Sequence, residues 1–170
     1  MADPAPGSAP VEPLLTARLE MVPISLSMAV RIVTGRPEVG ERWAADYPLA
    51  DEIGLLRLVV AARTEPQGWG PWQVRSGSTG AAIGGIGFLG GPDQAGQVEV
   101  GFGLVPSVRG TEIAVEALGA IAGWAFANGA GSVYGCTRPD NLASQRTLSR
   151  AGFSRLAGRG DHLVFALVAE

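Results

Sequence analysis

The spacing of apolar and polar positions changes several times along the chain. A short alternation over residues 15–23, ending at Pro23, predicts a first strand. Ser25 then offers a helix cap. Leu26, Ala29, Val30 and Val33 follow at helical spacing, and Gly35 and Pro37 stop them. A second helical stretch begins at Asp51, with Leu55, Leu58, Val59 and Ala62 on one side, and ends before residues 66–70. From there the period falls to two. Residues 71–75, 81–89 and 97–105 are short apolar runs separated by Gly/Ser and Gly/Pro/Asp clusters, the pattern of an antiparallel meander.

A long helix is expected over residues 110–127, where Ile113, Ala114, Ala117, Leu118, Ile121, Ala122 and Ala125 form one apolar face closed by Asn128 and Gly129. Residues 132–137 read as a buried strand, 141–151 as a helix stopped by Gly152, and 153–156 with 162–168 as a closing hairpin. The order is strand, two helices, three strands, helix, strand, helix, two strands. This is one mixed α/β (α+β) domain over residues 14–170, preceded by a loose Ala/Pro-rich tail at residues 1–13.

Composition narrows the function. Hydrophobic residues make up 46% and charged residues 17% of the 170, a globular balance, and the net charge of -3 speaks against a nucleic-acid or anionic-membrane partner. The single Cys136 excludes an internal disulfide, and with the single His162 it is too little for a structural zinc site, so no metal is expected. A reducing, cytoplasmic setting is the default. The tail has neither the basic nor the apolar segment of a leader, and no apolar run reaches the roughly 18 residues of a membrane span.

Two motifs fail on context. Residues 85–90 (GIGFLG) match GxGxxG, but a Gly-Pro-Asp turn follows where a dinucleotide site needs a helix, so these glycines belong to a hairpin. A nucleophilic triad would need His162 as base and a Gly-x-Ser-x-Gly elbow. The chain lacks the elbow, and Cys136 in an apolar strand reads as a small core residue.

A third constellation is more specific. Residues 98–102 (VEVGF) lie in a strand, 106–110 (PSVRG) open the long helix, 139–144 (PDNLAS) follow the next strand, and 146–153 (RTLSRAGF) complete the set. Together they resemble the GNAT superfamily of acyl-CoA N-acyltransferases, more narrowly its RimJ/RimL-like branch, from about residue 15 to the C-terminus. The resemblance implies a mostly antiparallel mixed sheet of six to seven strands flanked by about four helices, with strands splayed at the CoA site. It also implies acetyl-CoA as co-substrate, an amine acceptor and, from its relatives, a homodimer.

Residue by residue, the resemblance gives Phe102, Leu104 and Val105 the pantetheine arm and a backbone oxyanion donor. Arg109, Gly110, Thr111, Glu112, Ile113 and Ala114 match the pyrophosphate segment at the helix start. Glu99 matches the strand glutamate assigned as general base; its plain alternative is a carboxylate that orders the splayed strands. Ser144 matches a helix serine near the coenzyme sulfur, with Asn141 beside it, although both residues also suit a helix start. Asp46, Asp51 and Glu52 lie where an acceptor site is walled and could attract an ammonium group.

One position departs from the pattern. Glu112 stands where the branch has its second glycine, and Ser107 stands where the superfamily often has Gln or Arg. A carboxylate about 4 Å from one phosphate charge costs on the order of 4 kcal/mol at an effective dielectric of 20. A helix end returns only about 0.3 to 1 kcal/mol. Arg109, on the same helical face, could pair with Glu112 and turn it outward. The competing reading is a catalytically weakened domain that binds or regulates. A third is an assembly module using the region of Trp43, Trp69 and Trp72 as its surface.

Overall fold

The computed structural model describes residues 10–170, so most of the expected tail lies outside the described residues. The predicted first strand is split into β1 (Leu14–Leu15) and β2 (Leu19–Pro23). Thr16 makes the bend, its hydroxyl accepting from the Leu19 N–H while its own N–H bonds the Leu19 carbonyl. Next come α1 (Leu26–Thr34) and α2 (Ala50–Ala62), then β3 (Pro71–Ser76), β4 (Ala82–Phe88) and β5 (Gln97–Leu104). A 3₁₀ turn (Pro106–Val108) precedes α3 (Ile113–Ala127), β6 (Ser132–Thr137), α4 (Leu142–Arg150), β7 (Ser154–Arg155) and β8 (Leu163–Val168).

Local chemistry sets several boundaries as expected. Ser25 accepts from the Met28 N–H at the start of α1, and Gly35 ends the helix at φ +65. The long helix starts later than expected because the chain makes a 3₁₀ turn at Pro106 and takes positive φ at both Gly110 and Glu112 before α3 begins. Its inner face is the expected one: Ala117, Leu118, Ile121, Ala122 and Ala125 are buried.

All eight strands form one sheet in the order β1-β2-β3-β4-β5-β6-β8-β7, antiparallel except for β5 and β6. The count exceeds the expected six to seven because the first strand divides into β1 and β2. On one face Trp72 and Phe88 meet Trp124 of α3, and Trp69 joins them at 4.8 Å between ring centroids. Trp72 is fully buried and Trp43 stacks edge-on against buried Tyr47, so these tryptophans are core rather than a docking surface.

The opposite face carries α2. Its expected inner side is shifted: Leu56 is fully buried, whereas Leu58 is 68% exposed. The helix is apolar on nearly every side, so periodicity had little to select between.

Candidate active site between splayed strands

Strands β5 and β6 pair only at Gln97↔Ser132, Val98↔Val133 and Glu99↔Tyr134. Beyond Glu99 they part, while β5 stays paired to β4 as far as Leu104 and β6 stays paired to β8 as far as Thr137. A cavity of about 270 Å³ fills the opening, lined by Val100, Gly101, Phe102, Gly135, Cys136, Thr137, Arg138, Asn141, Ser144, Leu148 and His162.

Ladder alternation decides which β5 amides face this gap. The Val105 N–H donates to the Ile83 carbonyl at 2.9 Å, so in an antiparallel pair the odd-numbered residues of β5 turn their polar groups to β4. Val100, Phe102 and Leu104 therefore aim theirs into the opening. Two of the expected coenzyme positions, Phe102 and Leu104, can donate there. Val105 cannot, since its amide is spent in the sheet and its side chain is fully buried.

The segment leading into α3 has its own geometry. Gly110 sits at φ +80 and Glu112 at φ +63, with Thr111 between them, a sign alternation of the kind that gathers successive N–H groups toward one point. Left-handed backbone costs a non-glycine residue roughly 1–2 kcal/mol. The glycine in the family pattern thus has a backbone reason as well as a steric one. The Glu112 carboxylate forms an ion pair with Arg150 of α4, both side chains more than half exposed. Arg109 does not take that role; its Nε donates to the Leu104 carbonyl at 3.0 Å and ties the end of β5 to the turn.

Other contacts anchor the same segment. Arg18 reaches the Thr111 carbonyl at 2.8 Å and pairs with Glu116 at 2.6 Å, so the N-terminal hairpin holds the start of α3. Ile113 and Ala114 open the helix and pack partly against the core. Ser107 donates from its N–H and hydroxyl to the two oxygens of Asp46, each at 3.0 Å. That backbone bond holds the Asp46 carboxyl below its ordinary range and ties it to the turn at Ser107.

At the head of α4, Asn141 Oδ1 accepts from the Ser144 N–H at 3.1 Å, a cap that places Ser144 in the first turn facing the gap. Cys136 is exposed into the opening rather than buried as expected. Burial and then the Glu99 carboxylate push its thiol up, which disfavours a thiolate nucleophile. His162, set aside above as the base of a triad, lies just before β8 and reaches the gap.

A second cavity, about 220 Å³, lies between β4 and β5 and the start of α2. Gly101 and Phe102 border both cavities, so they meet through the β5 backbone. Glu99 and Glu52 line the second one. Burial pushes the Glu52 carboxyl up from 4.5 to about 7, against the downward pull of hydrogen bonds from Tyr47 and the Leu49 backbone. Among the described residues no cluster of three or more His, Cys, Asp or Glu could hold a metal, and no helix is long and apolar enough to cross a membrane.

Known proteins share this architecture. A crystal structure of an acetyltransferase from Agrobacterium tumefaciens str. C58 is 24% identical and superposes with a TM-score of 0.65 over 98% of this chain and 100% of its own. Mycobacterium smegmatis RimJ, solved with CoA-disulfide, has a TM-score of 0.62 at 18% identity over 89% of this chain and 82% of that one. An uncharacterized N-acetyltransferase, YjdG of Bacillus subtilis (strain 168), is 31% identical over 120 residues, 68% of this chain and 71% of that protein. The family profile described as "Acetyltransferase (GNAT) domain" matches residues 18–154, which contain the splayed strands, the α3 entry and the Ser144 helix, and the chain belongs to that acetyltransferase family.

Proposed function

We propose that the protein moves an acetyl group from acetyl-CoA to a primary amine by direct attack in a ternary complex. The observation that carries this reading is the parting of β5 from β6 after Glu99, with Ser144 on one wall of the opening and the second cavity on the other side of β5. Pantetheine lies along Phe102 and Leu104, and the pyrophosphate meets the N–H groups of residues 110–114. The amine enters the second cavity, and Glu99 takes its proton. The neutral nitrogen bonds to the thioester carbon, the oxyanion is held by a gap-facing N–H of β5, the nitrogen gives up its second proton to solvent, and the C–S bond breaks. Ser144 gives the thiolate a proton and is reprotonated from solvent.

How much Glu99 matters depends on the acceptor. At neutral pH roughly one α-amino group in seven is neutral, against about one lysine-type amine in 2,500. Residual activity without Glu99 therefore reports the acceptor's basicity. The free Cys136 suits the cytoplasmic setting expected of this reading. A homodimer is carried with it and is tested by light scattering.

The test is release of free thiol from acetyl-CoA with a panel of amines and peptides, with products identified by mass spectrometry. Acceptor-dependent release is expected. The sequence contains no lysine, so stable label on the protein beyond its N-terminal amine would point to an acyl-enzyme and contradict direct attack. Absence of both acceptor-dependent release and CoA binding would end the reading.

A further inference from the structure

The second cavity has an unusual floor. Across β4 and β5, Gly85 faces Gly103 and Gly87 faces Gly101, so two successive cross-strand pairs on the α2 side of the sheet carry no side chain. A methyl group at Gly101 would meet nothing within 4 Å, whereas one at Gly85 would lie 3.0 Å from the Glu52 carboxyl carbon. The floor is thus bare backbone, open above Gly101 and roofed by Glu52 at Gly85. These are glycines of the GxGxxG-like stretch and its neighbour strand; Gly87 lies under the Gly70–Pro71 backbone and Gly103 under Leu49, so the open part of the cavity is the space above Gly101.

The walls and the charges differ in character. Leu49, Leu55 and Leu56 supply apolar surface, while the ionisable residues lining the cavity are Asp51, Glu52 and Glu99, all acidic, with no arginine or histidine among the described lining residues. Glu52 is held in place by a relay: Tyr47 O–H donates to its Oε1 at 2.8 Å, Gln73 Nε2 donates to Tyr47 at 3.2 Å, and Arg75 Nε donates to Gln73 at 2.7 Å. Its other oxygen, Oε2, is shielded from solvent and has no hydrogen-bond partner. A buried acceptor left in that state costs free energy that a cationic donor would recover.

We propose that this cavity selects a small primary amine with an apolar body and no carboxylate, its ammonium held by Glu52 and its body lying on the glycine floor against Leu49, Leu55 and Leu56. The volume falls below the roughly 300–1,000 Å³ of drug-sized sites, which sets the scale of the amine. A free amino acid would bring a carboxylate into a cavity that offers it no cation. A peptide beginning with alanine would bring little apolar surface to the floor. The proposal rests on the acetyl-transfer reading for the fate of the amine but not for its binding.

The experiment uses 2-phenylethylamine, phenylalanine and an alanine-initiated peptide, each titrated by calorimetry with CoA present and each assayed for acetylation. The amine is expected to bind, and to be acetylated with kcat/KM at least about tenfold above phenylalanine and the peptide. Glu52→Gln should weaken amine binding about tenfold or more, as for loss of a charged hydrogen-bond partner, while CoA affinity stays within about twofold. Gly101→Val, whose side chain projects into open space, should also weaken amine binding. Equal binding of phenylalanine or the peptide, an amine affinity unmoved by Glu52→Gln, or no amine binding overturns the proposal. Amine binding that depends on Glu52 without any acetylation sustains it and removes the transfer reading; acetylation without preference among the three does the reverse.

Discussion

Replacing Glu52 by glutamine gives the wild type and its variant different responses to pH. In the folded protein the carboxyl titrates at about 7 instead of 4.5, a difference worth at most about 3 kcal/mol. The folded state holds the proton more tightly, so the carboxyl carries no penalty below pH 4.5. Between 4.5 and about 7 the unfolded chain ionises while the folded one resists, and stability is lost as pH rises; above 7 the loss is complete. Glutamine does not titrate. Its own hydrogen bonding shifts the variant by a constant, and the pH dependence of the difference isolates the carboxyl. A chain of this size changes its Tm by about 2–4 °C per kcal/mol. Thermal melts of both proteins from pH 4.5 to 8 should therefore show the variant gaining up to roughly 6–12 °C on the wild type, with most of the gain between pH 5 and 7. Parallel Tm curves would refute the burial argument for Glu52.

Three further outcomes follow from the same geometry. Glu112→Gly relieves left-handed strain and removes a carboxylate from the phosphate segment, and since its ion pair with Arg150 is exposed and worth under about 1 kcal/mol, CoA should bind several-fold tighter by calorimetry; an unchanged or weaker affinity would mean that Glu112 faces away from the coenzyme. Ser144→Ala should lower kcat by about 10²-fold or less with CoA affinity nearly unchanged, the signature of a proton donor rather than a binding group. Glu99→Gln should depress acetylation of strongly basic amines far more than of weakly basic ones, and the deficit should shrink as pH rises, measured from pH–rate profiles.

What the sequence made legible was chiefly local. Ser25 and Gly35 bound α1 because caps act within one turn, and the face of α3 could be read because its apolar residues keep a helical period. The ordered motifs located β5, the α3 entry and α4. What stayed hidden depends on contacts distant in sequence. Glu112 finds Arg150 on another helix instead of nearby Arg109, whose guanidinium is taken by the Leu104 carbonyl. Asp46, Asp51 and Glu52 look alike as exposed acids, yet only Glu52 is drawn under the sheet by Tyr47, while Asp46 is tied to Ser107. The glycines of residues 85–90 gave no hint of a cavity until Gly101 and Gly103 were paired opposite them.

The opening between β5 and β6 is best tested by a crystal structure with CoA. The thiol should lie between Phe102 and Ser144, with the pyrophosphate against the N–H groups of residues 110–114. CoA bound elsewhere on the protein, or no binding at millimolar CoA, would contradict the assignment of this gap as the donor site.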